Sequence, residues 1–285
     1  MIQIDDRWAY QHGEHFLFNA GVICSPESAF LIDPGMTGKE IRDLQGFLAD
    51  TGRTCEGIIL THFHWDHILG ANSFNQWDIF AHQGFPGEQS AHLLGSGSAI
   101  EKWAAASNEK ALKPENFPVP NHLLEDGSRL LVGDTSLLIL HTPGHTCDHI
   151  SIFDESRGVL WAGDILSDVE IPYISGSILA FLGTMEKLTT LRITAIIPGH
   201  GSPACDQAEA RKRIAEDLEY LHELKAAVEM AVHKGASQEE TVDLCRDIPI
   251  RFPEDNMQAH VWNIESAYKE LGGMPSINQV GWENE

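Results

Sequence analysis

Short apolar runs separated by turn residues dominate the first two-thirds of the chain. Runs of this kind, bounded by glycine, proline or aspartate, predict buried strands. The predicted strands cover residues 15–24, 29–32, 58–60, 79–81, 130–132, 136–140, 149–153, 159–162 and 195–197.

Segments with apolar residues every three or four positions predict helices, and more of them lie toward the C-terminus. The predicted helices cover residues 37–50, 68–75, 98–111, 178–191, 206–233, 237–248 and 255–271. Thr37 is placed to cap the first helix, and Ser237 with Glu240 fits a capping box. The pattern predicts an α/β fold in which two sheets pack together and helices lie outside.

Composition narrows the class of protein. The 285 residues include 42 acidic and 19 basic side chains, which gives a formal net charge of −23. This charge aids solubility and opposes nucleic-acid binding, which depends mainly on lysine and arginine contacts to phosphate. No apolar stretch approaches a membrane span, and the first residues do not form a secretory signal. Five cysteines without a Cys-x-x-Cys pair fit a reducing cytoplasm, so we expect a cytoplasmic protein that binds neither nucleic acid nor membrane.

The segment from His62 to His67, with the sequence His-Phe-His-Trp-Asp-His, directly follows a predicted strand. Imidazole and carboxylate groups suit zinc and similar metals. His62 and His64 would project to the same side of an extended segment, and Asp66 with His67 could serve a second, adjacent metal. The alternative is a histidine-rich surface loop.

Three further residues, His145, Asp164 and His200, each follow an apolar run and lie in a turn marked by glycine or proline. Strand ends are rigid positions from which metal ligands can be aimed. The four potential ligands of the first segment and these three residues together predict a metal site.

The order His-x-His-x-Asp-His, then His, Asp and His, resembles the metallo-β-lactamase superfamily of hydrolases. The resemblance runs from about residue 16 to residue 201 and implies a four-layer αββα sandwich. It implies two divalent metal ions, with zinc as the default and manganese or iron as alternatives. Asp164 would bridge a first metal, held by His62, His64 and His145, and a second metal, held by Asp66, His67 and His200.

The same resemblance implies hydrolysis of an activated acyl bond by a hydroxide shared between the metals, with Asp66 orienting it or moving its proton. Asp33 matches the strand-end aspartate of the superfamily and is expected to orient a ligand histidine, although it could simply form a turn before Pro34. A phosphodiesterase or nuclease, which the acidic charge disfavours, and an iron-dependent redox enzyme remain alternatives.

Other positions can be compared with the signatures of individual groups within the superfamily. His64 replaces the glutamate of flavodiiron proteins, which favours hydrolysis. Ser167 stands where acyl-homoserine lactonases have tyrosine, and residues 165–170 lack the Cys-Gly-Arg signature of glyoxalase II and the persulfide dioxygenases. The β-lactamases themselves lack aspartate at the bridging position, so an ester or thioester is favoured over a lactone or lactam.

Two segments extend the minimal fold. We expect a catalytic domain at residues 1–205 and a C-terminal helical extension at residues 206–285, which could wall the pocket or join copies of the chain in a homo-oligomer. Residues 84–122 form a long insertion that we predict to be a lid. Its Trp103 and Phe117 would contact substrate or simply pack on the core. Tyr173 is a further candidate for substrate binding.

Overall fold

The protein is represented by a computed structural model that describes residues 1–74, 76–109 and 113–273. Its strands are β1 (Ile2–Gln3), β2 (Trp8–His12), β3 (Asn19–Cys24), β4 (Ser28–Ile32), β5 (Thr54–Ile59), β6 (Asp78–His82), β7 (His122–Leu124), β8 (Arg129–Val132), β9 (Thr135–His141), β10 (Ile150–Asp154), β11 (Val159–Gly163) and β12 (Ala195–Pro198). Its α-helices are α1 (Gly38–Thr51), α2 (Trp65–Ile68), α3 (Phe85–Ser107), α4 (Ile178–Thr189), α5 (Gln207–His233), α6 (Gln238–Cys245) and α7 (Pro253–Glu270).

The strands form two sheets. The first contains β1 to β7 in sequential order, antiparallel up to β4 and parallel from β4 to β7. The second has the order β12-β11-β10-β9-β8, in which only the β11–β12 pair is parallel among the described strands. Parallel neighbours end at the same edge of their sheet, so β4 and β5 end together in the first sheet and β11 and β12 end together in the second.

Three apolar clusters define the layers. The central one joins the facing sides of the two sheets, where Trp8 stacks on Trp161 with ring centroids 6.5 Å apart. A second cluster joins the other face of the first sheet to α1, α2 and α3, and a third joins the second sheet to the helices from α4 to α7. Each sheet is therefore buried on both faces, and the predicted αββα sandwich is confirmed.

The ends of several elements differ from the sequence prediction. The strand expected at residues 15–24 begins only at Asn19, because Phe16 and Leu17 adopt positive φ angles of 56° and 49° and turn the chain. Strand β2 was not predicted. The helix expected at residues 68–75 is replaced by α2 and a 3-10 turn, Ala71–Phe74, and position 75 lies outside the described residues.

The insertion and the C-terminal extension are both helical. Helix α3 begins at Phe85, well before the predicted start at residue 98, and the predicted end at residue 111 lies outside the described residues. The C-terminal helices follow the prediction closely, and Ser237 with Glu240 forms the expected capping box. Residues 274–285 of the predicted extension also lie outside the described range. No helix in the described part of the chain is long and apolar enough to cross a membrane.

Candidate metal centre

Loops that follow strand ends bring all seven predicted ligands to one edge of the sandwich. The chain after β5 carries His62, His64, Asp66 and His67, and the chain after β9, β11 and β12 carries His145, Asp164 and His200. The first sheet therefore supplies four donors and the second sheet supplies three. The centre joins the two halves of the sandwich.

The first group of donors consists of His62, His64, His145 and Asp164, whose potential ligand atoms lie within 4.8 Å of one another. His145 Nε2 lies 2.8 Å from His64 Nδ1 and 3.2 Å from His62 Nε2. Tetrahedral zinc with Zn–N bonds of about 2.0 Å separates its ligand nitrogens by roughly 3.3 Å. The spacing of these nitrogens suits one metal ion.

The second group consists of Asp66, His67 and His200. Asp66 Oδ2 lies 3.3 Å from His200 Nε2 and 3.9 Å from His67 Nε2. Asp164 faces both groups, because its Oδ1 lies 3.0 Å from His67 Nε2 while its Oδ2 lies 3.4 Å from His145 Nε2. The carboxylate of Asp164 thus stands between the two groups, where the resemblance places a bridging ligand.

Backbone carbonyls orient two of the imidazoles. His145 Nδ1 donates to the Tyr173 carbonyl at 3.0 Å, and His200 Nδ1 donates to the Phe16 carbonyl at 2.9 Å. A carbonyl oxygen only accepts, so the hydrogen of each ring is on Nδ1 and the lone pair of Nε2 points into the centre.

Asp33 orients two more imidazoles, one directly and one through Thr61. Its Oδ2 accepts from His67 Nδ1 at 2.9 Å and from the Thr61 hydroxyl at 2.7 Å. Because that hydroxyl gives its hydrogen to Asp33, it accepts from His62 Nδ1, which lies 3.0 Å away. Asp33 therefore lies where the sequence placed it, and it fixes the tautomers of ligands in both groups.

These residues fit divalent metal ions. Lone pairs that converge on one point repel each other unless a cation or a proton lies between them. His67 Nε2 and Asp164 Oδ1 are buried 3.0 Å apart, and with the ring hydrogen on Nδ1 both atoms are acceptors, so no hydrogen bond joins them. Burial opposes charge on His200, yet nearby carboxylates, chiefly Asp164 and Glu170, raise the pKa of its imidazole to about 10. This half of the centre thus favours a positive charge, while burial and neighbouring imidazoles lower the pKa of His64 to about 3 and keep it a neutral ligand.

Two residues around Asp164 were not recognised from the sequence as part of the centre. His149 Nε2 accepts the backbone N–H of Asp164 at 3.0 Å, and its Nδ1 bonds to the Thr142 hydroxyl. Gly199 leaves room on the other side, because a Cβ there would lie 2.3 Å from Asp164 Oδ1. Nothing in the spacing of either residue indicated these contacts, since both depend on how β10, β11 and β12 align.

A cavity of about 440 Å³ opens onto the centre. The cavity is lined by the segment after β11, including Glu170 and Tyr173, and by α7, including Trp262. The ring of Tyr173 lies 6.4 Å from that of His64. Trp103 and Phe117 do not line this cavity. They are buried in the cluster between the first sheet and α3, so the structure gives them a packing role.

Helix α7 holds the segment after β11 through two asparagines. Asn263 Oδ1 accepts from Ile174 N at 2.7 Å, and its Nδ2 donates to the Pro172 carbonyl at 2.6 Å. Asn256 makes the same kind of paired contact to Ile171 N and Val169 O. Tyr173, whose carbonyl orients His145, lies between the two backbone groups held by Asn263.

We call these contacts the asparagine clamp. One signal of it is present in the sequence: Asn256, His260 and Asn263 recur at the spacing of one helix face, and that face is otherwise apolar at Ile264 and Ala267. Polar residues on a buried stripe need partners, and here four of the partners are backbone groups of the segment after β11.

The family model of the metallo-beta-lactamase superfamily matches residues 18–200, which include every ligand described above. The chain belongs to the metallo-β-lactamase superfamily. Membership of this superfamily confirms that the protein is a metal-dependent hydrolase, and the His/Asp cluster is its metal-binding site.

Individual superfamily members are similar over different lengths. A hydroxyacylglutathione hydrolase of Hahella chejuensis is 32% identical over 155 residues, 52% of this chain and 48% of that protein. The acyl-coenzyme A thioesterase MBLAC2 of Bos taurus is 26% identical over 211 residues, 64% of this chain and 72% of that protein. A metallo-beta-lactamase family protein from Thermus thermophilus has a TM-score of 0.65 at 22% identity and shares the fold over 93% of each chain.

Proposed function

We propose that this protein is a dinuclear hydrolase of esters or thioesters. The observation that carries the proposal is the convergence of donor atoms on both sides of Asp164, next to a cavity large enough for a small substrate. Two similar proteins, a thioesterase and a hydroxyacylglutathione hydrolase, are named for thioester substrates, which supports this bond class. Two bound divalent ions, which we expect to be zinc, would supply an acidified water molecule and polarise the acyl carbonyl.

The residues of the chain would then orient the reactants. Asp66 Oδ2 is 3.3 Å from His200 Nε2, and Asp66 lines the cavity, where its carboxylate would hold the proton of the attacking water. Burial raises the pKa of Tyr173, so its hydroxyl stays protonated at neutral pH. This hydroxyl makes no hydrogen bond among the described residues, and we infer that it donates one to the substrate oxygen as negative charge develops.

The test combines metal analysis with hydrolysis of small thioester, ester, lactone, β-lactam and phosphodiester panels. We expect about two zinc ions per chain and activity on the ester or thioester panel. The His64→Ala variant should lose one ion and the activity. His92→Ala is the matched control, because His92 is exposed on α3 and neither belongs to the ligand set nor lines the cavity.

Two results would contradict the proposal. One is a purified protein that binds no divalent zinc and hydrolyses nothing on the panels. The other is a His64→Ala variant that keeps full activity. Bound iron together with oxygen consumption would instead support a redox enzyme on this fold.

A further inference from the structure

The charged groups around the cavity are acidic. Among the described residues that line it, none is a lysine or an arginine, whereas Glu170, Asp217 and Asp255 lie in its walls in addition to the ligand aspartates. An anionic group on a substrate is stabilised by basic side chains or by backbone N–H groups directed at it. The described walls of the outer cavity therefore offer no lysine or arginine to a carboxylate or phosphate away from the metal centre.

Two arginines close to these walls in the fold, Arg251 and Arg213, are already bound to other groups of the protein. Arg251 pairs with Asp217 and donates to the carbonyls of Ser167 and Glu170, so its charge is balanced behind the cavity wall. Arg213 donates to backbone carbonyls and pairs with Glu209. Neither side chain is free to reach an anionic substrate.

Unlike these arginines, the Glu170 side chain has no charged partner in the described part of the chain. Its carboxylate makes no hydrogen bond or ion pair with any described residue, and it faces the cavity. Burial raises the pKa of this carboxyl, and a cation beside it would favour the ionised form. Asp255 adds a second acidic group at the exposed start of α7.

Aromatic rings complete the surface. Tyr173 and Trp262 lie 6.0 Å apart at an angle of 57°, and Phe16 and Trp65 lie 6.0 Å apart at 88°. All four line the cavity. Ring faces attract ammonium groups, and a nearby carboxylate strengthens the attraction.

Helix α7 carries both the carboxylate of Asp255 and the indole ring of Trp262. Asp255, Ala259 and Trp262 occupy positions i, i+4 and i+7, so they share the face that lines the cavity. The small Ala259 leaves space between the carboxylate and the indole.

We propose that the substrate is a cationic ester or thioester, whose ammonium group lies between the Tyr173–Trp262 pair and the carboxylates of Glu170 and Asp255. This inference rests on the proposed hydrolase function and specifies its substrate class. In the reaction the acyl C–S or C–O bond breaks, the oxygen of water joins the acyl carbon, and a proton of water passes to the departing sulfur or oxygen. The ammonium group stays unchanged and positions the molecule.

The test compares substrates that differ in charge but not in shape. The zinc-loaded protein is assayed with acetylthiocholine, with S-(3,3-dimethylbutyl) thioacetate, in which carbon replaces the charged nitrogen, and with acetyl-coenzyme A. We expect kcat/KM for the cationic thioester to exceed that for its neutral isostere by about tenfold. Added salt should reduce this ratio, and the anionic thioester should be the poorest substrate.

Variants locate the effect. Glu170→Gln should lower the cationic-to-neutral ratio severalfold, since it removes one of the two carboxylates and leaves the aromatic pair in place. Glu254→Gln is the matched control, because Glu254 lies in the first turn of α7 but does not line the cavity, and it should keep the wild-type ratio. Binding is measured separately: choline should change tryptophan fluorescence at lower concentration than 3,3-dimethylbutanol, since Trp65 and Trp262 line the cavity.

The outcomes separate this inference from the proposed function. Equal rates on the two isosteres, or a preference for acetyl-coenzyme A, would overturn the cationic substrate while leaving the hydrolase intact. If no thioester or ester is hydrolysed, the hydrolase proposal fails. Tighter binding of choline than of its neutral isostere would then still support the cation site, and equal binding would overturn it.

Discussion

Replacing Asn263 with alanine tests whether the hydrogen bonds from α7 to the segment after β11 stabilise the metal centre. The side chain makes three buried hydrogen bonds, to Ile174 N, the Pro172 carbonyl and the Tyr220 hydroxyl. Each is worth about 1 kcal/mol net, and a backbone group left without a partner costs a further 1–3 kcal/mol or so. We therefore expect Asn263→Ala to lower the free energy of unfolding by about 3–5 kcal/mol.

The same substitution should weaken metal binding. Without the clamp, the Tyr173 carbonyl is free to move away from His145 Nδ1, which it now meets at 3.0 Å. Loss of such an outer partner typically lowers metal affinity about 10- to 100-fold. Urea unfolding measures the first effect, and zinc competition with a chelator at a temperature where the variant is folded measures the second.

The control is Gln258→Ala, an exposed position on the same helix. This variant should stay within about 0.5 kcal/mol of the wild type and bind zinc normally. If Asn263→Ala is destabilised but binds zinc as tightly as the wild type, the clamp is purely structural and the reasoning from α7 to His145 is refuted.

Three other changes test separate parts of the structure. Asp33→Ala removes the acceptor of His67 Nδ1 and should weaken zinc binding about 10- to 100-fold in a chelator competition; unchanged affinity would contradict its orienting role. Gly199→Ala places a Cβ 2.3 Å from Asp164 Oδ1, so we expect a loss of about 1–3 kcal/mol in unfolding experiments and lower zinc content by metal analysis. Burial lowers the pKa of the His82 imidazole to about 4 in the folded protein. The unfolded chain takes up this proton below about pH 6.5, so the free energy of unfolding should decrease as the pH falls from 6.5 to 4. That loss should be on the order of 1–2 kcal/mol in metal-free protein and should shrink in His82→Asn, and equal pH slopes for the two proteins would argue against it.

The ligand set could be predicted because each ligand is marked by the few residues around it in the sequence. A buried strand followed by a polar turn is visible without the partner strands, and the motif from His62 to His67 fixes the order. Asp33, which directly follows β4, was identified because it matches the strand-end aspartate of the superfamily. The sandwich followed from the alternation of apolar runs.

The cavity wall could not be predicted, because it depends on how distant elements pack. Trp103 and Phe117 were candidates for substrate contact since they are large and lie in an insertion, yet both are buried against the first sheet. The early part of α3 was missed because Gly84, Gly87 and Gly95 resemble the composition of a loop. The extension was recognised as helical, but its role in holding the cavity wall is visible only when Asn256 and Asn263 meet the backbone across from them.

The supply of ligands by both sheets has a consequence for biosynthesis. A ribosome makes the segment from His62 to His67 long before the loop after β12, so a nascent chain exposes a partial set of donors while the rest is still untranslated. The first group of donors is encoded before residue 165, but the second group is complete only after His200 has emerged and β12 has paired with β11. We therefore expect the second ion to be captured only when synthesis of this domain is nearly finished, and chains truncated before residue 200 to lack high-affinity binding of that ion.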